Sequence, residues 1–272
     1  MSRLRDRRVS IASRSRCELL IHRFGRQRAA EIRRTLQSAG LALVALGAPG
    51  NHFDTKFQRH FVKCIELAGR LRVQFIGASS GAIAGQTLDR QVQAIVKLYE
   101  SLYFPACQKH KVRILWEPHV NPFNIATSPV GFSALLRAFQ DSPYVGIQMY
   151  PSHLASQMID PVRAVREFGA NIFNVHLKDA EILWPLVHRG GIQPVDNAKW
   201  WRFRLPGSGV IDWKGFFTAL ADAGYSGGLN IENEDEFYYP NYDGVDFTDA
   251  FKEGYRVAHA YVKQFVPAGM KQ

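Results

Sequence analysis

Short apolar runs alternate with helical segments along most of this chain, and this alternation limits the folds that it can adopt. Six runs have the length and composition of strands buried on both faces. These predicted strands are 41–47, 73–79, 112–119, 145–153, 172–179 and 227–235. The predicted helices are 26–39, 55–70, 87–109, 128–140, 160–168, 212–224 and 247–265. Such alternation predicts an α/β fold with a parallel sheet and right-handed crossovers.

A closed (β/α)8 TIM barrel fits this pattern better than an open doubly wound sheet. No glycine-rich dinucleotide fingerprint follows a predicted strand. Residues that look functional end successive strands, and a barrel directs all of those ends to one mouth. Eight strands require two within residues 1–25, where CELLI at 17–21 is one candidate. Residues 1–15 hold only the apolar patch VSIA, so we expect the first β/α unit to be weak, incomplete or missing.

The predicted organisation is one barrel domain, residues 26–266, between a basic leader, 1–25, and a short tail, 267–272. Within the barrel, residues 180–211 form an insertion with two adjacent tryptophans, Trp200 and Trp201. Long loops in compact domains are often functional, and we expect this one to act as a lid.

The net charge of +10 lies mostly near the start of the chain. Residues 1–40 contain eleven arginines and three acids, and the rest of the chain is nearly neutral. A basic leader of this kind can bind polyanions or resemble a transit peptide. Because the charge does not surround the predicted barrel mouth, a nucleic-acid partner and a DNA-repair endonuclease are disfavoured.

Composition also bears on the compartment. The three cysteines, Cys17, Cys64 and Cys107, form no CxxC pair, which is typical of reduced core thiols in a cytoplasmic protein. No apolar run approaches the length of about 18 residues that a membrane-spanning helix needs. We therefore expect a cytoplasmic protein with no membrane partner.

Ionisable residues gather at the predicted strand ends. They are Glu117, His153, His176, Lys178, Asp179 and Glu232. Burying a carboxylate is costly unless it is paired or binds a cation. Two carboxylates and an imidazole suit a divalent cation, and carboxylates beside a carbonyl compound can exchange protons with it. Lys178 and Asp179 have a simpler explanation, since they could pair with each other.

Several segments extend this pattern into a family resemblance. They are LVALGAPGNH at 43–52, WEPH at 116–119, PSHL at 151–154, IFNVHLKDAEI at 172–182, PGSGVIDW at 206–213 and GGLNIENED at 227–235. With these segments in this order, the chain resembles the sugar phosphate isomerase/epimerase family of xylose-isomerase-like TIM barrels. The resemblance is greatest to the branch of ketose 3-epimerases and keto-glycoside epimerases.

The resemblance implies a divalent metal and a sugar substrate. Glu117 and Glu232 match the glutamates that bind the metal and exchange protons, and His176 matches a histidine ligand. Substrate contacts are implied for His153, for the loop Asn51–His52 and for Arg204 in the insertion, and Lys178 and Asp179 join this predicted substrate-binding set. Manganese is the expected ion, with magnesium, cobalt or zinc as alternatives.

The chain departs from the family at one ligand, because Tyr150 stands where the family has aspartate before Pro-Ser-His. A phenol with a pKa near 10 is a poor ligand at neutral pH. His119 is two residues past Glu117 and is a candidate substitute by strand alternation. Otherwise the metal is weakly bound or absent.

Three functions follow from these observations. The first is a metal-assisted isomerase or epimerase that moves a proton beside the carbonyl of a ketose or keto-sugar derivative. The second is a lyase or dehydratase on the same scaffold. The third is a catalytically impaired binding or partner subunit. An incomplete barrel would expose a strand edge, so we also expect a homo-oligomer.

Overall fold

A computed structural model of the protein describes residues 7–11, 26–140, 142–239 and 249–266. The described residues form two compact units that meet in sequence between Met149 and Tyr150. Among the described residues, no helix is long and apolar enough to cross a membrane.

The first unit contains five parallel strands that pair in sequence order. They are β1 (Arg7–Ile11), β2 (Leu41–Gly47), β3 (Phe75–Ala78), β4 (Arg113–Trp116) and β5 (Val145–Met149). Strands β3 to β5 are almost wholly buried, as their apolar sequences predict.

The helices of the first unit lie between these strands. They are α1 (Arg26–Ser38), α2 (Thr55–Leu71), α3 (Leu88–Leu98), α4 (Phe104–His110) and α5 (Pro129–Phe139). Asp54 and Thr87 cap α2 and α3, because each side chain accepts a hydrogen bond from the backbone of the first turn. A π-helical turn, Tyr99–Tyr103, joins α3 to α4.

The second unit combines two parallel strands with an antiparallel pair. Strands β6 (Ile172–Leu177) and β9 (Gly228–Ile231) are parallel neighbours. Between them in sequence, β7 (Asp179–Ile182) and β8 (Trp201–Arg204) form an antiparallel ribbon. The helices are α6 (Pro151–Ala155), α7 (Pro161–Phe168), α8 (Trp184–Gly190), α9 (Trp213–Asp222) and α10 (Asp249–Val262).

The predicted alternation of strands and helices is confirmed, although the strands predicted over 112–119 and 227–235 end earlier, at Trp116 and Ile231. Three further corrections apply. The strand predicted over 145–153 ends at Met149, and α6 begins at Pro151, a residue suited to the first turn of a helix. The helix predicted over 87–109 is divided by the π-helical turn. The insertion is a β-ribbon with a short helix rather than an irregular loop.

The first strand is also informative. Residues 7–11 form β1, which includes most of the VSIA patch and shifts register against β2 between Val9 and Ile11. The first strand is therefore present, although short and irregular. The candidate strand CELLI lies outside the described residues.

Candidate active site

The β6–β9 pair carries a ladder of polar side chains on one face. Alternate residues of a strand point to the same side, and the register places His176 opposite Asn230. At the lower step, Asn230 Nδ2 donates a hydrogen bond of 2.7 Å to Asn174 Oδ1. Above it, His176 Nδ1 lies 3.7 Å from Glu232 Oε2. The polarity of this face therefore rises toward the carboxyl ends of the strands.

Lys178 forms the top step of the ladder and is almost fully buried, at 1% exposed. Its Nζ lies 2.5 Å from Glu234 Oε2 and 3.1 Å from Glu232 Oε2. The same nitrogen lies 4.1 Å from the ring centroid of Phe203 and 5.2 Å from that of Tyr150. Burial opposes the charge on Lys178, but the two glutamates outweigh it and raise the pKa of the ammonium. The lysine is therefore held in its charged form.

Glu232 is the most accessible acid of this group, with its side chain 23% exposed. Burial opposes its ionisation, yet the charge of Lys178, followed by His176, lowers the pKa of Glu232 well below its usual range. Its Oε2 atom is itself buried and lies 3.1 Å from the Lys178 ammonium and 3.7 Å from His176 Nδ1. Glu232 is thus an ionised, partly exposed carboxylate with one oxygen held against the lysine.

Three aromatic contacts hold Tyr150 and His153 beside the ladder. The Tyr150 ring lies 4.5 Å from the ring of His176 and 4.7 Å from that of His153, measured between centroids. His153 also packs edge-on against Phe203, 5.1 Å away. The second unit therefore brings together five of the predicted residues: Tyr150, His153, His176, Lys178 and Glu232.

In the first unit, Glu117 follows β4 and is half-buried. Its Oε1 accepts a hydrogen bond of 2.7 Å from Gln148 Nε2. Gly77 leaves the space for this pair, since a Cβ there would come within 2.6 Å of both side chains. Glu117 is therefore a positioned carboxylate at a strand end, as predicted.

His52 lies in a different environment, an aromatic centre in the first unit. It is 0% exposed and is packed by Phe57, Phe61, Tyr99 and Tyr103. Its Nδ1 is 3.0 Å from the Tyr103 hydroxyl. Burial lowers the pKa of His52 to about 3, against a weaker opposing contact with the Ser79 backbone. Its predicted contact with substrate stays a prediction.

His119 belongs to the loop that follows β4. The strand ends at Trp116, so strand alternation does not relate His119 to Glu117. His119 Nδ1 lies 3.1 Å from Asn121 Nδ2, and its carbonyl accepts from Asn121 and Asn124. The local hydrogen bonds orient this loop, and the role of His119 as a substitute ligand stays a prediction.

Asp179 and Lys178 do not pair with each other, contrary to the simpler explanation. Asp179 is fully buried, and its carboxylate accepts four hydrogen bonds, from the backbone of Ala180, Gly207 and Ile211 and from Trp213 Nε1. Burial raises the pKa of Asp179 despite these bonds. The carboxylate therefore fastens the end of the insertion to the start of α9, and its predicted contact with substrate stays untested.

Arg204 lies in a second ionic cluster, on the β7–β8 ribbon. Its Nε donates to Asp235 Oδ2 at 2.8 Å and its Nη1 to Glu181 Oε2 at 2.5 Å. Arg202 also binds Glu181, at 2.8 Å, and forms an ion pair with Glu236. The two arginines thus tie the ribbon to the loop after β9, and the predicted substrate role of Arg204 stays a prediction.

The predicted metal ligands of the second unit do not fit a divalent ion. The Lys178 ammonium lies against the Glu232 oxygen that would bind the ion, and the Tyr150 ring packs on the His176 ring. Within the described ranges, no three His, Cys, Asp or Glu side chains are spaced to hold a metal. A second cation beside the ammonium would be repelled.

Two residues of this site were not predicted from the sequence. Glu234 lies two positions past Glu232, so the alternation within ENED is a signal that could have found it. Phe203 lies within the insertion, and only the pairing of β7 with β8 places it near Lys178.

Comparisons with known proteins identify the class. The sequence profile of the xylose isomerase-like TIM barrel matches residues 13–256. The chain therefore belongs to that family, which confirms the predicted barrel fold and the resemblance stated from the motifs. Its fold is that of the sugar isomerases and epimerases.

The individual relatives share a modest fraction of identical residues with this chain. An uncharacterized protein, YfiH of Bacillus subtilis, is 28% identical over 240 residues, covering 75% of each chain. Inosose dehydratase of Klebsiella pneumoniae is 36% identical over 78 residues, only 28% of this chain and 26% of the relative.

Among solved structures, the IolI protein with a bound zinc atom superposes with a TM-score of 0.69 at 17% identity, covering 94% of this chain and 88% of that one. The 3-keto-D-glucoside 4-epimerase YcjR of E. coli, in its apo form, gives a TM-score of 0.66 at 14% identity, covering 91% and 87%. At these identities the likeness shows the fold.

Proposed function

We propose that this protein binds a carbonyl-bearing sugar and moves a proton at the carbon beside the carbonyl, as an isomerase or epimerase. The observation that carries the proposal is the Glu232 carboxylate. It is ionised, its side chain is 23% exposed, and Lys178 holds one of its oxygens at 3.1 Å. A positioned carboxylate that stays ionised and partly exposed at a strand end can take a substrate proton.

Family membership supports the substrate class. The structures with the same fold include a 3-keto-D-glucoside 4-epimerase and a D-psicose 3-epimerase solved in the presence of D-fructose. The resemblance assigns the second proton-transfer role to Glu117, which Gln148 holds in position. The divalent metal of the resemblance, with manganese as the expected ion, is not required for this proposal.

Solvent-deuterium exchange tests the proposal directly. The purified protein is incubated in D₂O with D-fructose, D-allulose, D-tagatose, a 3-keto-glucoside and an inosose. Proton NMR then follows the signal at the carbon next to each carbonyl. We expect exchange with at least one of these, and we expect Glu232→Gln to slow it by about 100-fold or more.

The matched control is Glu236→Gln, an exposed glutamate on the same loop whose partner is Arg202. It should keep the wild-type exchange rate. Absence of exchange with every sugar, or an unchanged rate in Glu232→Gln, contradicts the proposal. The same spectra show a dehydrated product if the protein is a lyase, which the local match to inosose dehydratase favours.

A binding protein without turnover is the other candidate. It is favoured by the strongly lowered pKa of Glu232, because a carboxylate that holds protons weakly is a weak base. Calorimetric binding of one of these sugars without deuterium exchange would identify this function.

A further inference from the structure

Lys178 lies in a cage that the second unit builds around a cation. Two carboxylates, those of Glu232 and Glu234, lie within 3.1 Å of its nitrogen. Two aromatic rings, those of Phe203 and Tyr150, lie within 5.2 Å of it. Carboxylates and aromatic faces both attract positive charge. The ammonium therefore has two anionic partners and two aromatic rings close to it.

The ammonium lies against an oxygen that the implied metal would use as a ligand. Its nitrogen is 3.1 Å from Glu232 Oε2, the oxygen to which His176 is also nearest. Divalent ions bind carboxylate oxygens at about 2.0–2.6 Å. An ion on this oxygen would therefore come within about 6 Å of a buried ammonium, at which distance like charges repel in a protein interior.

Tyr150 and Lys178 complement each other. An aspartate at position 150 would add a third carboxylate beside His176, whereas the phenol adds none and packs on the imidazole. With Tyr150, the charges of Glu232, Glu234 and Lys178 sum to −1. A divalent ion would change this sum to +1, whereas with aspartate at position 150 the sum with the ion would be zero.

We infer that the Lys178 ammonium is the resident cation of this site, in place of a divalent metal. It is covalently attached, so a chelator cannot remove it. The inference deepens the proposed function by naming the cation of that site. Its test measures metal binding rather than turnover, so the two proposals can fail separately.

The first experiment uses the wild-type protein. Metal content is measured by inductively coupled plasma mass spectrometry after purification. Mn²⁺, Co²⁺ and Zn²⁺ are then titrated by calorimetry, with the melting temperature as a second readout. We expect a content far below one ion per chain and no rise in melting temperature, because an ion that bound the native state tightly would raise it. About one tightly held ion per chain overturns the inference.

The second experiment restores the missing carboxylate and removes the lysine. Tyr150→Asp restores the carboxylate, and Lys178→Met removes the ammonium while keeping a long side chain. We expect the double variant to bind about one Mn²⁺ or Zn²⁺ and to melt at a higher temperature with the ion present. Tyr150→Asp alone should bind at least about tenfold more weakly, because the ammonium remains.

A matched double variant separates the lysine from general charge loss. Lys199 is exposed and lies 4.2 Å above the Trp201 ring, so Tyr150→Asp with Lys199→Met should behave like Tyr150→Asp alone. Full binding by Tyr150→Asp alone, or no binding by a folded Tyr150→Asp/Lys178→Met protein, overturns the inference. If that variant does not fold, the wild-type titration decides.

Discussion

The two units bury ionisable groups in opposite ways. The aromatic centre of the first unit surrounds His52 with four rings, and burial there lowers the pKa of the imidazole to about 3. The cage of the second unit surrounds Lys178 with two glutamates as well as two rings, and the pKa of its ammonium is raised. One group is therefore kept neutral and the other is kept charged.

The difference lies in the partners, since both side chains are removed from water. Aromatic walls and one hydroxyl cannot compensate a buried positive charge, so the histidine gives up its proton. Two carboxylates can compensate it, but each of the three charges then depends on the others. Burying a neutral group lowers the stability little at neutral pH. Removing one partner of a buried ion pair, in contrast, lowers the stability strongly.

Removing the lysine has the largest expected effect. Lys178→Met leaves Glu232 and Glu234 without their cation, and breaking a buried ion pair typically costs about 3–5 kcal/mol. Urea unfolding at pH 7 measures the change. The exposed Lys199→Met should change the unfolding free energy by less than about 0.5 kcal/mol. A loss under about 1 kcal/mol for Lys178→Met would mean that the cage relaxes around the gap.

An acid titration tests the other centre. The folded-state pKa of His52, about 3, is below its unfolded value of about 6.5, so the unfolded chain binds more protons between these values. His52 should therefore cost stability as the pH falls through this window, by up to about 1.4 kcal/mol per pH unit.

His52→Phe provides the comparison, because phenylalanine fits among aromatic rings but does not titrate. Unfolding free energies at pH 7, 6 and 5 should fall less steeply for the variant than for the wild type. Equal slopes would show that the aromatic centre admits the protonated imidazole. The variant also leaves the Tyr103 hydroxyl without its nitrogen partner. This loss lowers the stability equally at every pH, so it does not change the slope of stability against pH.

On the ribbon, Arg202→Met should have the smallest effect on stability, and its comparison with Arg204→Met shows how burial changes the contribution of an ion pair. Arg202 is 30% exposed and forms ion pairs with Glu181 and Glu236. Exposed pairs typically contribute about 0.2–1 kcal/mol, so Arg202→Met should cost no more than this. Arg204 is less exposed and binds the fully buried Asp235, and Arg204→Met should cost about 1–3 kcal/mol. Reversal of this order in thermal unfolding would show that burial does not set the energies.

Local patterns predicted much of the fold. Strand β2 and helices α2, α5 and α7 lie within a residue of their predicted ends, because apolar runs, caps and flanking prolines act locally. The π-helical turn at Tyr99–Tyr103 was missed, since its two tyrosines have a helical spacing that hides the change of pitch. Pro151 is a signal for the start of α6, although the apolar run before it predicts that the strand continues.

The site was less predictable than the fold. Strand-end positions placed His176, Lys178 and Glu232 correctly on one set of strand ends, because alternation is local. The partners of Lys178 depend on the register between β6 and β9 and on Phe203 from the ribbon. Neighbours in sequence were a poor guide here, since Lys178 and Asp179 point to different partners.

The four hydrogen bonds of Asp179 have a consequence for variation in this protein. They join the strand after β6 directly to residues 207–213, so both ends of the intervening segment are fixed independently of its length. The pairing of β7 with β8 then places Phe203, so we expect changes of length between Leu183 and Lys199 to leave its ring over Lys178. This stretch is therefore a suitable place to insert a different loop beside the site.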